Sequence, residues 1–257
     1  MRALSVVVIT YNEEKNIGRC IDSVKGLADE VIVVDSWSSD NTVRIAADKG
    51  ATVKQSSFDG YINQKNKAIK LATHDLVLLL DADEAVDITL AAAVRKAKQS
   101  DGLAYTMNRC NFFLGRFIRH GLWYPDRKLR LFDRRFGQCG GFNPHDRVIM
   151  HTGIAAERLE GDIEHYTFET REAYLSRNEE VSQIAAQSLY ETGVRTSWAR
   201  IIFSPAWAFL NGYVLRLGFL DGYRGWLIAV HTADQAYMKH QRLRRLNKSK
   251  TGQVAWE

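Results

Sequence analysis

The stretch LVLLLDADE, residues 76–84, decides the fold class of this chain. Its unbroken apolar run predicts a strand that is buried on both faces of a parallel sheet. Three carboxylates, Asp81, Asp83 and Glu84, follow at its end and would repel one another without a cation. Because ligands in open α/β sheets bind outside the carboxyl ends of the strands, this strand predicts a divalent-metal site at that edge.

Strand-like and helix-like segments alternate along the first hundred residues. Apolar, β-branched runs predict strands, and apolar residues at helical spacing predict helices. The predicted strands are 5–10, 30–35, 51–54 and 76–81. One predicted helix begins near residue 17, and three others cover 42–49, 61–72 and 89–97. This alternation predicts a doubly wound, mostly parallel α/β sheet flanked by helices, with Thr10, Asp35 and Asp81 at one edge.

The pattern changes from Leu103 onwards, where segments rich in arginine and aromatic residues predict a mixed extension of the sheet with long loops. Loops of that length are usually functional, and a lid or an acceptor cradle is the simplest use. Gly140-Gly141 and Asn143-Pro144 indicate turns. A helix over 170–190 closes a catalytic domain that we predict to span residues 1–195.

Composition places the chain among soluble globular proteins, since it has 257 residues, 46% of them hydrophobic and 25% charged. The amino terminus lacks the pattern of a secretory signal, which favours a cytoplasmic protein. Three widely spaced cysteines fit neither a disulfide framework nor a zinc site, so we expect reduced thiols.

Positive charge is concentrated at the carboxyl end of the chain. Residues 195–257 carry ten Lys and Arg against three Asp and Glu, whereas the residues before them carry 25 basic and 27 acidic side chains. A slightly acidic catalytic part argues against nucleic acid as a partner, because nucleic-acid enzymes usually have positive charge around the site. The basic region needs a separate explanation.

Glycine-rich phosphate loops are missing from the sequence. Neither GxGxxG nor GxxxxGK[ST] occurs, which disfavours dinucleotide oxidoreductases and P-loop NTPases. The chain also lacks the glycine-rich, arginine-containing loop of sugar-nucleotide pyrophosphorylases, the closest rival with a similar sheet and metal. Phosphate groups would therefore be bound through a metal ion.

Four motifs in order resemble the inverting nucleotide-sugar glycosyltransferases with the GT-A fold. These motifs are VVVITYNEE (6–14), VVDSWSSDNT (33–42), QKN (64–66) and LLLDADE (78–84). Later blocks resemble the lipopolysaccharide core glucosyltransferases of Gram-negative bacteria. They are WYPDRKLRLF (123–132), the pair His145-Asp146, EHYT (164–167) and GFLDGYRGW (218–226), so the similarity spans nearly the whole chain.

The resemblance implies a nucleotide site made by Thr10, Tyr11, Glu13 and Asp35, with Lys65 near the base and diphosphate. These residue types can supply a planar slot and hydrogen-bond partners for a base. The alternatives are structural. Glu13 could cap a helix, Asp35 could form a turn, and Lys65 could be a solvated helix residue.

Asp81 would accept hydrogen bonds from ribose hydroxyls, and Asp83 would bind the metal that bridges the two phosphates. Mg²⁺ or Mn²⁺ suits carboxylate and diphosphate oxygens better than zinc does. His165 matches the position of a further metal ligand in related folds, although a lone histidine is more often structural. Glu84 is expected to support its neighbours.

Inverting transfer needs one base that takes the proton from the acceptor hydroxyl, and Asp146 is the predicted base. We expect it in a loop after the Gly140-Gly141 turn, flanked by His145 and Arg147. The family usually has Glu at this position, so the carboxylate here is one methylene shorter. The alternative is an ordinary surface pair of Asp146 with Arg147.

The carboxyl-terminal region, residues 196–257, combines aromatic residues with arginines that interrupt every apolar run. No stretch has the roughly 18 uncharged apolar residues of a spanning helix. The pattern predicts amphipathic helices at a membrane interface, with the basic face toward anionic lipid. Alternatively, these helices pack on the catalytic domain or on a second subunit, which would make a homo-oligomer.

Together these features predict a metal-dependent, inverting hexosyltransferase. It would pass glucose from UDP-glucose to an inner-core sugar of lipopolysaccharide, a lipid-linked acceptor, as a peripheral protein at the cytoplasmic face of the inner membrane. A different UDP-hexose or hexosamine, or another lipid-linked acceptor, is the alternative within the enzyme class. Outside it, the alternative is a non-catalytic module that binds sugar nucleotides or membranes.

Overall fold

The computed structural model describes residues 1–142, 145–168 and 170–253. Eleven strands and seven α-helices follow one another along these residues. The strands are β1 (Leu4–Thr10), β2 (Glu30–Asp35), β3 (Thr52–Gln55), β4 (Leu76–Asp81), β5 (Glu84–Val86), β6 (Ala104–Phe113), β7 (Arg116–Phe117), β8 (Asp126–Asp133), β9 (Gly137–Phe142), β10 (His145–Met150) and β11 (Glu157–Phe168). The α-helices are α1 (Ile17–Ser23), α2 (Thr42–Asp48), α3 (Tyr61–Leu71), α4 (Ile88–Ala97), α5 (Arg171–Glu191), α6 (Trp198–Phe209) and α7 (Gly222–Gln253).

The main sheet has the strand order β3-β2-β1-β4-β8-β6-β11-β5, and β7 pairs with β6. β3, β2, β1 and β4 run parallel, whereas β8 pairs antiparallel with both β4 and β6. β9 and β10 form a separate antiparallel pair. The parallel half comes from the βα alternation of the first hundred residues, and the antiparallel half is the mixed extension predicted after Leu103.

Apolar side chains cover both faces of the central strands. In β4, Leu76, Leu78 and Leu80 belong to one buried cluster, and Val77 and Leu79 belong to another. Successive side chains of a strand point to opposite faces, so a strand with two buried faces needs an unbroken apolar run. This requirement explains the composition of residues 76–80.

The chain divides into two compact units, residues 1–110 with 126–166 and residues 111–125 with 167–257. These bounds differ from the predicted catalytic domain of residues 1–195. α5, the predicted closing helix, belongs to the second unit and packs there on α7. The division into a catalytic part, residues 1–195, and a membrane-associating part, residues 196–257, stays a prediction.

The second unit contains an aromatic core and a glycine-lined crossing. Phe113, Trp123, Phe168 and Tyr174 pack in edge-to-face or tilted contacts, with ring centroids 5.0–6.1 Å apart. A Cβ at Gly225 would lie 1.8 Å from a backbone oxygen, so no larger residue fits there. The motif GFLDGYRGW therefore serves close backbone packing.

Two charged side chains of the same motif bind the loop of residues 114–121. Arg224 Nε donates to Leu114 O at 2.8 Å, and Asp221 Oδ2 accepts from the backbone N–H of His120 at 2.8 Å.

Nowhere in the described ranges is a helix long and apolar enough to cross a membrane. Asn143 and Pro144, a predicted turn, lie outside the described residues.

Truncation of a core side chain of β4 should destabilise the first unit. Leu78 is fully buried, so we expect Leu78→Ala to lower the free energy of unfolding by about 2–5 kcal/mol through lost burial and a residual cavity. Urea unfolding would measure this loss. The matched control is Ile88→Ala, since Ile88 is 87% exposed and should cost about 0.5 kcal/mol or less. Equal losses for both variants would contradict the two-faced burial.

Candidate functional site

The carboxyl ends of three parallel strands meet at one edge of the sheet. In the register of β1 with its neighbours, Thr10 lies opposite Asp35, and Ile9 lies opposite Asp81. The predicted convergence of Thr10, Asp35 and Asp81 is therefore confirmed. All three belong to the first unit.

Asp81 is held between two buried cations. Its carboxylate lies 3.0 Å from Lys65 Nζ and 2.8 Å from an amino nitrogen of Arg130. Burial alone would raise the pKa of Asp81, but Arg130 and Lys65 outweigh it and hold that pKa well below its usual value. The ionised carboxylate stabilises the fold above its unfolded pKa near 3.8, and this contribution is lost as the pH falls toward the folded-state pKa.

Glu84 is completely buried beneath the same cations. Its carboxylate accepts a hydrogen bond from Arg130 at 3.0 Å and from the Asp81 backbone N–H at 3.0 Å, and it lies 3.5 Å from Arg109. Burial lowers the pKa of Arg130, but Glu84 and Asp81 more than compensate, so the net shift is upward. The sequence predicted that a metal ion relieves the repulsion between these carboxylates. For Asp81 and Glu84, arginine and lysine side chains of the protein relieve it instead.

Lys65 joins Asp81 to Asp146. Its Nζ lies 2.9 Å from Asp146 Oδ2, and the Asp146 side chain is only 10% exposed. Burial lowers the pKa of Lys65, but Asp81 and Asp146 outweigh it and the net shift is upward. The structure therefore places Asp146 against a buried lysine and not in a surface pair with Arg147.

The predicted loop position of Asp146 is wrong, because Asp146 lies on β10. Gly140 and Gly141 belong to β9 and do not form a turn. A side chain at Gly140 would lie 2.7 Å from Ile149 Cδ1, so this glycine makes room across the strand pair. The side chain of His145 lies outside the described part of the structure.

Asp83 and His165 lie side by side near this network. His165 Nε2 is 3.1 Å from Asp83 Oδ2, and the backbone of β11 holds the loop because Tyr166 N–H donates to Asp83 O at 2.9 Å. The antiparallel register of β11 with β5 pairs His165 with Glu84. The structure thus brings the two predicted metal ligands together, next to the pairing of β11 with β5.

This pair of donors fits a divalent cation that is shared with a substrate. In the part of the chain that the structure describes, no three His, Cys, Asp or Glu side chains come close enough to hold a metal by themselves. Mg²⁺ is usually bound through one or two carboxylates and substrate phosphates, with water completing the shell. One carboxylate and one imidazole match that arrangement.

The loops after β1 and β2 are bonded to each other. Asn12 N–H donates to Ser38 Oγ at 2.8 Å, and Asn12 Oδ1 accepts from Ser39 N–H at 2.8 Å. Glu13 N–H donates to Thr42 Oγ1 at 2.8 Å. These bonds fix both loops at the edge where the strands end.

Glu13 does not cap a helix through its side chain. α1 begins at Ile17, and its N-cap residue is Asn16, whose side chain makes no capping hydrogen bond. Glu13 instead accepts from Asn16 Nδ2 at 2.8 Å. Burial raises the pKa of Glu13, and the nearby charge of Asp83 raises it further.

Asp35 organises the turn after β2. It is fully buried, accepts hydrogen bonds from the N–H and hydroxyl of Ser38, and accepts from Gln55 Nε2 at 3.1 Å. The turn-forming role that the sequence left open for Asp35 is present in the structure. A role toward a nucleotide stays a prediction.

The neighbouring positions have unused binding capacity. Thr10 is 5% exposed, and its hydroxyl oxygen has no hydrogen-bond partner within the described ranges. Burying such a group without a partner costs about 1–3 kcal/mol. The rings of Tyr11 and Trp37 are 60% and 59% exposed, so either can stack on a planar group.

Three residues that hold the site were missed or undervalued in the sequence. Arg109 stood only as part of the arginine-rich segment after Leu103, Arg130 as a residue that could meet phosphate or be a plain strand arginine, and Asn66 as the last letter of QKN. A charged residue between the apolar residues Leu129 and Leu131 was a usable signal for Arg130. Nothing in the sequence pointed to the partner of Asn66.

Removal of Arg130 should leave a buried carboxylate uncompensated. We expect Arg130→Met to lower the free energy of unfolding by about 3–5 kcal/mol, because Glu84 is fully buried and would lose its main partner. Lys128→Met is the control, since this half-exposed lysine pairs with Asp126 at the surface and should cost about 1 kcal/mol or less. Chemical denaturation of both variants tests this, and a small loss for Arg130→Met would contradict the network.

Comparison with known proteins agrees with this geometry. Residues 5–155 match the model of glycosyl transferase family 2. An uncharacterized glycosyltransferase of Rickettsia typhi is 30% identical over 259 residues, covering 96% of this chain and 88% of that protein. The lipopolysaccharide core biosynthesis glycosyltransferase LpsC of Rhizobium meliloti is 25% identical, covering 92% of this chain and 93% of that protein.

Among solved structures, glucosyl-3-phosphoglycerate synthase from Mycobacterium tuberculosis matches with a TM-score of 0.49 and 18% identity, over 76% of this chain and 82% of that chain. The family match covers more than half of the chain and includes Thr10, Asp35, Lys65, Asp81, Asp83 and Asp146, whereas β11 with His165 lies beyond it. This chain therefore belongs to glycosyl transferase family 2 and is a glycosyltransferase with a mixed α/β fold.

Proposed function

We propose that this glycosyltransferase transfers glucose from UDP-glucose to an inner-core sugar of lipopolysaccharide, with inversion at the anomeric carbon. The observation that carries the proposal is the similarity to LpsC over nearly the full length of both chains. That relative is named as a lipopolysaccharide core glycosyltransferase, and its match includes residues outside the family model.

In the proposed reaction the donor binds at the sheet edge. Thr10, Tyr11, Glu13 and Asp35 hold the nucleotide, Lys65 lies near the diphosphate, and Asp81 accepts from ribose hydroxyls. The unpartnered hydroxyl of Thr10 and the exposed ring of Tyr11 support this assignment. Asp83 and His165 would hold Mg²⁺ or Mn²⁺, which would supply positive charge toward the departing UDP.

Asp146 acts as the base. As the acceptor oxygen attacks the anomeric carbon, the bond from that carbon to the UDP oxygen breaks and the acceptor proton passes to Asp146. The contact of Lys65 with Asp146 supports this role, because a cation 2.9 Å away holds the carboxylate at the same sheet edge as Asp81.

Removal of the proposed metal ligand should abolish turnover. We expect Asp83→Asn to lower the rate of UDP release from UDP-glucose about 100-fold or more, since the metal supplies several kcal/mol of charge stabilisation. The assay contains Mn²⁺ and lipopolysaccharide extracted from a strain that lacks this gene. A chelator should abolish the wild-type rate, and added Mn²⁺ or Mg²⁺ should restore it.

Asp48→Asn is the matched control, because Asp48 is exposed at the end of α2 and should leave the rate unchanged. No turnover of wild-type protein with any sugar nucleotide would favour a non-catalytic binding module. Mass analysis of the core oligosaccharide from the same strain identifies the transferred sugar, and loss of a residue other than glucose would replace the proposed donor.

The proposed location is the cytoplasmic face of the inner membrane, as a peripheral protein. Twelve large apolar side chains between residues 198 and 226 are more than 40% exposed. They are Trp198, Ile202, Phe203, Trp207, Leu210, Val214, Leu215, Leu217, Phe219, Leu220, Tyr223 and Trp226. The only acidic residue in this stretch, Asp221, is occupied by backbone N–H groups of residues 119 and 120.

This apolar and basic surface matches a bilayer with anionic lipid. Exposed Arg200 and Arg216 lie among the apolar side chains, and tryptophan and tyrosine rings suit headgroup depth. Holding the enzyme at the surface raises its effective concentration toward a lipid-linked acceptor.

Charged substitutions in this surface should weaken membrane binding. Phe203 and Trp207 are 70% and 60% exposed, and each inserted side chain contributes about 1.5–3 kcal/mol. We expect Phe203→Glu with Trp207→Glu to reduce flotation with vesicles of phosphatidylethanolamine and phosphatidylglycerol about 100-fold. The control is Ile88→Glu with Leu71→Glu, two exposed residues of the first unit. Unchanged flotation, or a change from dimer to monomer instead, would favour a second subunit as the partner.

A further inference from the structure

Three consecutive side chains of α3 bind three different parts of the first unit. Gln64 Nε2 donates to Ser36 Oγ at 3.0 Å, after β2. Lys65 contacts Asp81 on β4 and Asp146 on β10. Asn66 binds Cys139 on β9. Successive helix residues point about 100° apart, so one turn of α3 reaches all of these segments.

The contact of Asn66 is a two-point bond to the backbone. Its Nδ2 donates to Cys139 O at 2.9 Å, and its Oδ1 accepts from Cys139 N–H at 2.9 Å. Cys139 lies opposite Val148 in the β9–β10 pair. Opposed residues in an antiparallel pair exchange either two hydrogen bonds or none, so the polar groups of Cys139 point away from β10 and toward α3.

Asp146 and Asn66 are linked through this strand pair. Asp146 lies two residues before Val148 on β10, hence on the same face as Cys139 and Val148. The residue opposite Asp146 is Gly141, which offers no side chain to hold the carboxylate. Lys65 contacts the carboxylate of Asp146 directly, but its own side chain is flexible. Asn66 instead bonds the backbone of β9, the strand that pairs with the one carrying Asp146.

We infer that Asn66 is a positioning residue for the proposed base, because it anchors β9–β10 to α3 and so aligns Asp146 with the acceptor hydroxyl. The inference rests on the proposed function, in which Asp146 takes the acceptor proton. A displacement of about 1 Å at a reacting group can cost about 100-fold in rate. Asn66 touches no substrate in this scheme and acts only through Asp146.

The test is Asn66→Ala, assayed with UDP-glucose and lipopolysaccharide from a strain that lacks this gene. We expect kcat to fall about 10- to 100-fold, while the Kd for UDP changes less than about twofold, since both amide atoms of Asn66 bond the backbone of Cys139 and not a proposed nucleotide residue. Hydrogen exchange should quicken in residues 137–150 and stay unchanged in β1 and β4. Asn63→Ala is the matched control, because the Asn63 amide binds Asp59 O one turn earlier and should leave kcat unchanged.

A double-mutant cycle separates positioning from general stability. If Asn66 acts through Asp146, Asn66→Ala should cause no further loss in an Asp146→Asn background. An equal further loss there, or an unchanged kcat in the single variant, would overturn the inference. Where the Asp146→Asn rate lies at background, the split between kcat and the Kd for UDP decides in the same way.

Two more outcomes complete the design. Asn66→Gln keeps both amide groups on a longer side chain, so it should fold and retain more of kcat than Asn66→Ala does. Should Asn66→Ala fail to fold, an Asn66→Gln variant with wild-type kcat and altered exchange in residues 137–150 would overturn the inference. Full activity of Asp146→Asn would refute the proposed base itself, which is a different result from a failure at Asn66.

Discussion

The site depends on two buried cations, Lys65 and Arg130, that neutralise the carboxylates at the end of β4. Asp81 contacts both, Glu84 is completely buried against Arg130, and Asp146 contacts Lys65. A buried carboxylate that loses its partner costs several kcal/mol, so these acids can approach one another only where both cations are present. Because the cations come from α3 and β8, the site exists only once the parallel and antiparallel halves of the sheet have come together.

This dependence explains which parts of the molecule could be predicted from sequence. The strands of the parallel half are local apolar runs, and their parallel order brings their carboxyl ends to one edge, so Thr10, Asp35 and Asp81 could be placed together. The neutralising partners are not local. Lys65 is 16 residues and Arg130 is 49 residues from Asp81, and nothing near residue 81 encodes that pairing. The crowded carboxylates at residues 81–84 therefore suggested a metal ion, although Lys65 and Arg130 neutralise Asp81 and Glu84.

Within the DADE segment, Asp83 stays the predicted metal ligand. Its neighbours Asp81 and Glu84 are occupied by Lys65 and Arg130, while Asp83 contacts His165 from β11. Strand β11 is remote in sequence, so only the motif resemblance could point to His165. The β9–β10 pair was also not predictable from local sequence. Two adjacent glycines, Gly140 and Gly141, indicate a turn as readily as a strand that passes close to a bulky side chain such as Ile149.

Lys65 gives the site a property that neither carboxylate has alone. It is nearly buried and shares one positive charge between Asp81, on the donor side, and Asp146, the proposed base. In the proposed reaction Asp146 would take a proton, and Lys65 would lose one anionic partner but keep Asp81, so its charge would stay compensated. A lone lysine and carboxylate would instead leave an unpaired buried cation after proton transfer, at a cost of several kcal/mol. Sharing the cation lets the base change its charge without breaking the network that holds the sheet edge together.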